Sequence, residues 1–228
     1  MMRRNIALIP AAGVGARFGA GKPKQYVEIN GKTVLQHTIE IFEQHSRIDL
    51  IAVILSPEDS VFQTALSEKV RIFRVGGASR AETVRNGVSV LLEQGLAEAQ
   101  DNILVHDAAR CCLPAEALTR LLDEAGENDE GGILAIPVAD TLKRSDGSHH
   151  IEETVARAGL WQAQTPQLFQ TALLNRALSV DDLSEITDEA SAVEKLGIRP
   201  RLVQGDTRNL KLTLPQDEYI VRLLLKAV

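Results

Sequence analysis

The sequence predicts an α/β protein: a single Rossmann-like domain with a mostly parallel sheet, covered by helices on both faces. Three observations carry that prediction. Short, β-branched apolar runs alternate with stretches of helical spacing as far as about residue 140. The runs are near-continuously apolar, as strands buried on both faces are. Glycine-rich and charged stretches follow directly on several of them, at the strand ends where ligands of such sheets bind. A length of 228 residues suits one domain spanning 1–228.

Taken in order, "NIALI" (5–9) is the first strand and opens into "PAAGVGARFGAGKPKQY" (10–26). Leu35, Ile39 and Phe42 then share one helical face. "LIAVIL" (50–55) and "VRIFRV" (70–75) are the next strands, and Ser79 or Thr83 caps a helix carrying Val84, Val88 and Leu91. "NILVHD" (102–107) is a strand, Pro114 opens a helix with Leu118 and Leu121, and "GILAIPV" (132–138) is a further strand. From about Asp140 the rhythm changes. Residues 140–157 read as an extended polar segment, a turn at Asp146 and Gly147, and a return: a protruding β-hairpin arm with little core of its own. "LWQAQTPQLF" leads into helical spacing, with Trp161 expected in the core. "TDEASAVEKLG" is a capped helix closed by Gly197. The remainder reads as strand, loop, strand and a terminal helix starting near Pro215.

Composition narrows the partners. With 25 basic and 31 acidic residues the net charge is -6, which argues against a nucleic-acid surface. No apolar segment approaches the roughly 20 residues that span a bilayer, so no membrane role is expected. Cys111 and Cys112 are the only cysteines, too few for a disulfide framework or a zinc site, which points to a reducing cytoplasm. Small phosphorylated partners remain.

The opening loop excludes two familiar phosphate binders. Gly13 and Gly15 are followed by Phe18 where a dinucleotide fingerprint needs glycine. "AGK" is followed by Pro23 where a P-loop needs Ser or Thr. What is left is either a tight turn or a loop whose glycines turn backbone N–H groups toward a polyphosphate, with Arg17, Lys22 and Lys24 in reach of its oxygens.

"PAAGVGARFG…PKQY", "GGASRAETV", "LVHDAARCC", "GGILAIPVADTLKR", "GLWQAQTPQLF", "ITDEASAVE" and "NLKLTLPQD" occur in one order over nearly the whole chain. Together they resemble the 2-C-methyl-D-erythritol 4-phosphate cytidylyltransferases of the non-mevalonate isoprenoid pathway. The resemblance implies a nucleotidyltransferase fold and transfer of CMP from CTP to the substrate phosphate, with release of pyrophosphate and with Mg²⁺ or another divalent cation present. It implies Arg17, Lys24 and Lys211 as catalytic cations around the α-phosphate. Pro10, Ala11, Ala12, Gly13, Gly15, Gly76, Gly77, Arg80 and Thr83 would form the nucleotide site. Asp107, Arg110, Thr141, Arg157 and Thr165 would hold the methylerythritol phosphate, and Asp107 is the candidate Mg²⁺ ligand. Lys22 lacks that support and reads as a solvated charge. His106 reads as a packed, hydrogen-bonded histidine, since attack by an ionised phosphate needs no general base. The resemblance further implies a homodimer through the hairpin arm, with Arg157 reaching the neighbour's site, and a monofunctional form.

Two departures stand out. Cys111 replaces the proline usual after "HDAAR", and Arg208 occupies the place before "NLK" where the family often has an acid, leaving Asp206 as the substitute carboxylate. Two other readings are kept: a ribitol 5-phosphate cytidylyltransferase, and a nucleotide-sensing protein without chemistry. Retention of Arg17, Lys24 and Lys211 together speaks against the latter.

Overall fold

A computed structural model describes residues 3–13, 23–62 and 67–226. Its elements in chain order are β1 (Asn5–Pro10), a 3₁₀ turn (Lys24–Tyr26), β2 (Glu28–Ile29), β3 (Lys32–Thr33), α1 (Val34–Gln44), β4 (Leu50–Ile54) and β5 (Val70–Phe73). Then come α2 (Arg80–Glu93), β6 (Asn102–Val105), α3 (Ala115–Ala125), β7 (Gly132–Pro137), β8 (Leu142–Ser145) and β9 (Ile151–Val155). The chain closes with β10 (Trp161–Gln170), α4 (Thr171–Leu178), α5 (Glu189–Glu194), β11 (Arg201–Gln204) and α6 (Asp217–Leu224).

Seven strands form one sheet in the order β11-β7-β10-β6-β1-β4-β5. All pairs are parallel except those of β10, which runs antiparallel between β6 and β7. The two-residue period of each strand sorts its side chains to opposite faces. Ala7, Ile9, Ile51, Val53 and Leu104 pack beneath α1 and α3, while Ile6, Leu8, Ile54, Ile103 and Val105 pack beneath α2, α4 and α5. Thr33 caps α1 in a capping box with Gln36, and Ser79, not Thr83, caps α2 by accepting from the Glu82 N–H. Asp188 caps α5, and Gly197 follows it at φ +77°.

Three expectations are corrected. "WQAQTPQLFQ" (Trp161–Gln170) is a ten-residue strand inside the sheet, although Pro166 and the lack of a β-branched run argue against one. The conflict is resolved locally, because the β7 register shifts between Ala163 and Gln167, where Pro166 lies. Trp161 is not core: at the start of β10, beyond the helices, it is 37% exposed. "NLKLT" is not a strand. It runs as irregular chain and is tied to the molecule by the Leu212 N–H donating to Ala109 O (2.8 Å).

The hairpin is present as β8 and β9, an antiparallel pair that forms a sheet of its own. Gly147, at φ +83°, supplies the turn, and Asp146 accepts from the N–H groups of Ser148 and His150.

Candidate functional site

β1, β4, β5 and β6 all point the same way, and β1 lies where the chain order reverses, with β4 on one side and β6 on the other. Beyond the carboxyl ends of such strands the backbone of adjacent connections diverges and leaves a crevice. Here that crevice is a cleft of about 570 Å³, within the size range of small-molecule sites. One wall is the chain leaving β1, Pro10 to Gly13. A second is the turn before α2, Gly77 to Arg80. The polar floor and far side are Asp107, Lys24 and Lys211.

Local contacts explain how each wall is held. The Gln25 side-chain amide donates to Ala11 O (3.0 Å) and Gly13 O (2.9 Å), pinning the start of the loop. Gly76 lies behind the lining. A Cβ there would meet Ala12 Cβ at 2.3 Å and Leu55 O at 2.7 Å, so only glycine lets the two walls approach so closely. The Thr83 hydroxyl accepts from the Gly77 N–H (3.1 Å) and donates to Ser79 O (2.9 Å), shaping the turn from beneath.

Asp107 is the electrostatic centre. Oδ1 accepts from Arg80 Nε (2.9 Å), and Oδ2 pairs with Lys211 Nζ (2.8 Å) and lies 3.5 Å from Arg110 Nε. Burial works against its ionisation, but Arg80 first and then Lys211 and Arg110 overcome that and hold the carboxyl well below the ordinary range. Arg80 also makes a bidentate pair with Glu189, through Nη1 (2.6 Å) and Nη2 (3.1 Å). Beneath the floor, the buried His106 ring pairs with Thr165 Oγ1 (3.0 Å) and Arg110 O (2.9 Å), and burial lowers its pKa to about 4.

Of the residues singled out from the sequence, Pro10, Ala11, Ala12, Gly13, Lys24, Gly77, Arg80, Thr83, Asp107 and Lys211 line this cleft together. Gly15, Arg17 and Lys22 lie outside the described residues. Arg110 sits below the cleft and donates to Asn209 O (2.7 Å). Thr165 is buried, its hydroxyl taken by His106 and by the Asp107 N–H (3.1 Å). Thr141 and Arg157 are exposed on or beside the hairpin and do not line the cleft. Asp206 is clasped by Arg208 (2.7 and 3.0 Å) and likewise lies outside the lining. Gln25, Ser56 and Glu189 were not foreseen. Ser56 had the signal of following a strand end, whereas the other two lay in quoted motifs with no chemical cue to their partners.

Among the described residues Asp107 is the only carboxylate lining the cleft, and no cluster of three His, Cys, Asp or Glu side chains exists. That donor set suits Mg²⁺, which takes one or two carboxylates and fills its sphere with substrate phosphates and water.

A mostly parallel sheet with a glycine-walled, cation-floored cleft at its switch point defines a protein of the nucleotide-binding α/β class. The family model IspD: 2-C-methyl-D-erythritol 4-phosphate cytidylyltransferase matches residues 5–227, and the chain belongs to that family. It is 69% identical over 231 residues, covering 100% of both chains, to the 2-C-methyl-D-erythritol 4-phosphate cytidylyltransferase of Neisseria meningitidis serogroup C. A crystal structure of 4-diphosphocytidyl-2C-methyl-D-erythritol synthase superposes with a TM-score of 0.89 at 64% identity, over 99% of this chain and 100% of that one. The cytidylyltransferase of Francisella tularensis superposes at 0.82 with 31% identity, over 97% and 99%.

Proposed function

We propose that this protein transfers CMP from CTP to the phosphate of 2-C-methyl-D-erythritol 4-phosphate, giving 4-diphosphocytidyl-2-C-methyl-D-erythritol and pyrophosphate for isoprenoid precursor biosynthesis. The supporting observation is the cleft that places Lys24, Lys211 and Asp107 opposite the Gly77–Arg80 turn, in a chain that its family model matches over residues 5–227. That match favours this reading over ribitol 5-phosphate.

In the transfer a substrate phosphate oxygen bonds to the α-phosphorus as the bond to the bridging oxygen breaks, and pyrophosphate leaves with that electron pair. Two polyanions must be held in line, so the protein's work is positioning and charge stabilisation. Lys24 and Lys211 serve the α-phosphate, with Arg17 of the glycine-rich loop as a third cation. Backbone groups of Pro10 to Gly13 and of Gly77 take the nucleotide. His106, neutral and fully bonded, takes no proton. Asp107 is the residue that would hold Mg²⁺, which would offset phosphate charge when bound.

The unit is one domain over 1–228, and we assign the hairpin arm, 140–157, to homodimer formation. The arm is a two-stranded ribbon, marginal by itself in water. Ile151 on the arm, and Leu160 and Trp161 just after it in sequence, are 66, 39 and 37% exposed, which suits cover by a second copy. Thr141 and Arg157 would then complete the neighbour's cleft from across the interface. Two free buried thiols suit a reducing cytoplasm, and among the described residues no helix is long and apolar enough to cross a membrane.

Pyrophosphate release, assayed with CTP and either polyol phosphate, tests the reading. Turnover is expected with 2-C-methyl-D-erythritol 4-phosphate and with CTP in preference to UTP. Turnover with ribitol 5-phosphate alone, or equal rates with UTP, would overturn it.

A further inference from the structure

The "ITDEASAVE" motif places a glutamate with no evident task in the site. Glu189 is 1% exposed, far from ordinary for a carboxylate, and burial pushes its pKa up against the opposing pull of Arg80. Its neighbours are tied down. Asp188 caps α5 on the Ser191 N–H (2.9 Å) and accepts from Gln167 Nε2 (2.9 Å), while Gln167 Oε1 accepts from the Ala190 N–H (2.9 Å). The glutamate is thus locked to β10 from both sides in sequence. From that anchor it takes two nitrogens of Arg80, leaving Nε for Asp107, which in turn pairs with Lys211.

We propose that Glu189 is a positioning residue for the transfer: acting through Arg80, it fixes Asp107 and thereby the placement of Lys211 in the cleft. The inference rests on the reading of the cleft as the CTP site. The geometry supplies the mechanism. With Glu189 in place, the guanidinium can offer Asp107 only its Nε edge, so one carboxylate oxygen stays with Lys211. Without it, Arg80 is free to turn and grip Asp107 with two nitrogens, the geometry that Arg and carboxylate prefer, at the expense of Lys211. An error of this kind, at groups that act on the reacting phosphate, falls on turnover more than on substrate binding.

Glu189→Gln keeps the shape and removes the charge. It is expected to lower kcat by on the order of ten- to a hundredfold, with KM for CTP and for the polyol phosphate changed by less than about threefold. Glu189→Asp, which keeps the charge, should recover part of the loss. Because Glu189 acts through Arg80, adding Glu189→Gln to an Arg80→Gln background should cost no further turnover. Unchanged kcat per folded molecule, a loss confined to KM, or additive losses in the double variant would overturn the proposal. Should either single variant fail to fold, the double variant decides. Removing both partners of a buried pair relieves the unpaired charge, so the fold should return while turnover stays at least tenfold low. A return of both would show a purely structural pair. Wild-type protein inactive with CTP would instead overturn the underlying functional reading, an outcome distinct from an active wild type matched by an equally active Glu189→Gln.

Discussion

The cleft and the hairpin arm are built on opposite principles. Every wall of the cleft is tied to the sheet: Gln25 to the β1 loop, Thr83 to the Gly77 turn, Arg80 to both Asp107 and Glu189. The arm has no second layer, and nearly every residue from 141 to 154 is exposed. A polyanion and a charged phosphate can be oriented only by groups that do not move, so the nucleotide half belongs on the core. Thr141 and Arg157, which we propose complete the site, gain comparable rigidity only if something covers the arm.

The largest contrast should appear in stability. Phe42 is fully buried under the sheet, its ring 5.1 Å from that of His106, and Phe42→Ala should cost about 3–5 kcal/mol. Ile151→Ala on the arm should leave thermal unfolding of the protomer within about 0.5 kcal/mol of wild type. Equal losses would erase the distinction.

The buried floor should also respond to acid. The pKa of His106 falls from 6.5 unfolded to about 4 folded, so between those values the unfolded chain binds the extra proton. Stability is then complete above pH 6.5 and drops by up to about 3 kcal/mol as pH falls to 4. His45, whose pKa burial also lowers, acts in the same direction. Denaturant unfolding across that range should show the slope, and His106→Gln should flatten most of it.

Within the cleft, Lys24→Ala or Lys211→Ala should lower kcat by on the order of a hundredfold or more while the fold survives, since each removes a cation that the proposed transfer directs at the developing phosphate charge. Raised KM for CTP at constant kcat would reduce them to ground-state binders. On the arm, Arg157→Ala should raise KM for the polyol phosphate by on the order of tenfold, with a smaller change for CTP. Deleting residues 145–150 should weaken dimerisation with the smallest effect on protomer stability; sedimentation at matched concentrations measures it.

The same two regions differ in how much of them sequence disclosed. The parallel strands were legible because burial on both faces demands unbroken apolar runs, and the cleft followed from which stretches lie at their ends. β10 was not, because "LWQAQTPQLF" carries polar residues and a proline in a central strand, tolerated through the register shift at Pro166. Glu189 and Gln25 act by reaching across the fold, to Arg80 and to the β1 loop, and nothing local in sequence marks such a partner. Trp161 was misplaced because an aromatic in an apolar context reads as core, whereas here it opens β10 and is 37% exposed.

Cleft and arm, as proposed, form one site from two subunits. Mixing Lys24→Ala subunits, which keep a sound arm, with Arg157→Ala subunits, which keep a sound cleft, tests it most directly by pyrophosphate release after subunit exchange. With the polyol phosphate held well below its wild-type KM, where Arg157→Ala subunits alone turn over slowly, random pairing makes half the dimers mixed, each with one intact site of two, so activity should recover to about a quarter of wild type. No recovery in a mixture shown to have exchanged would contradict the claim.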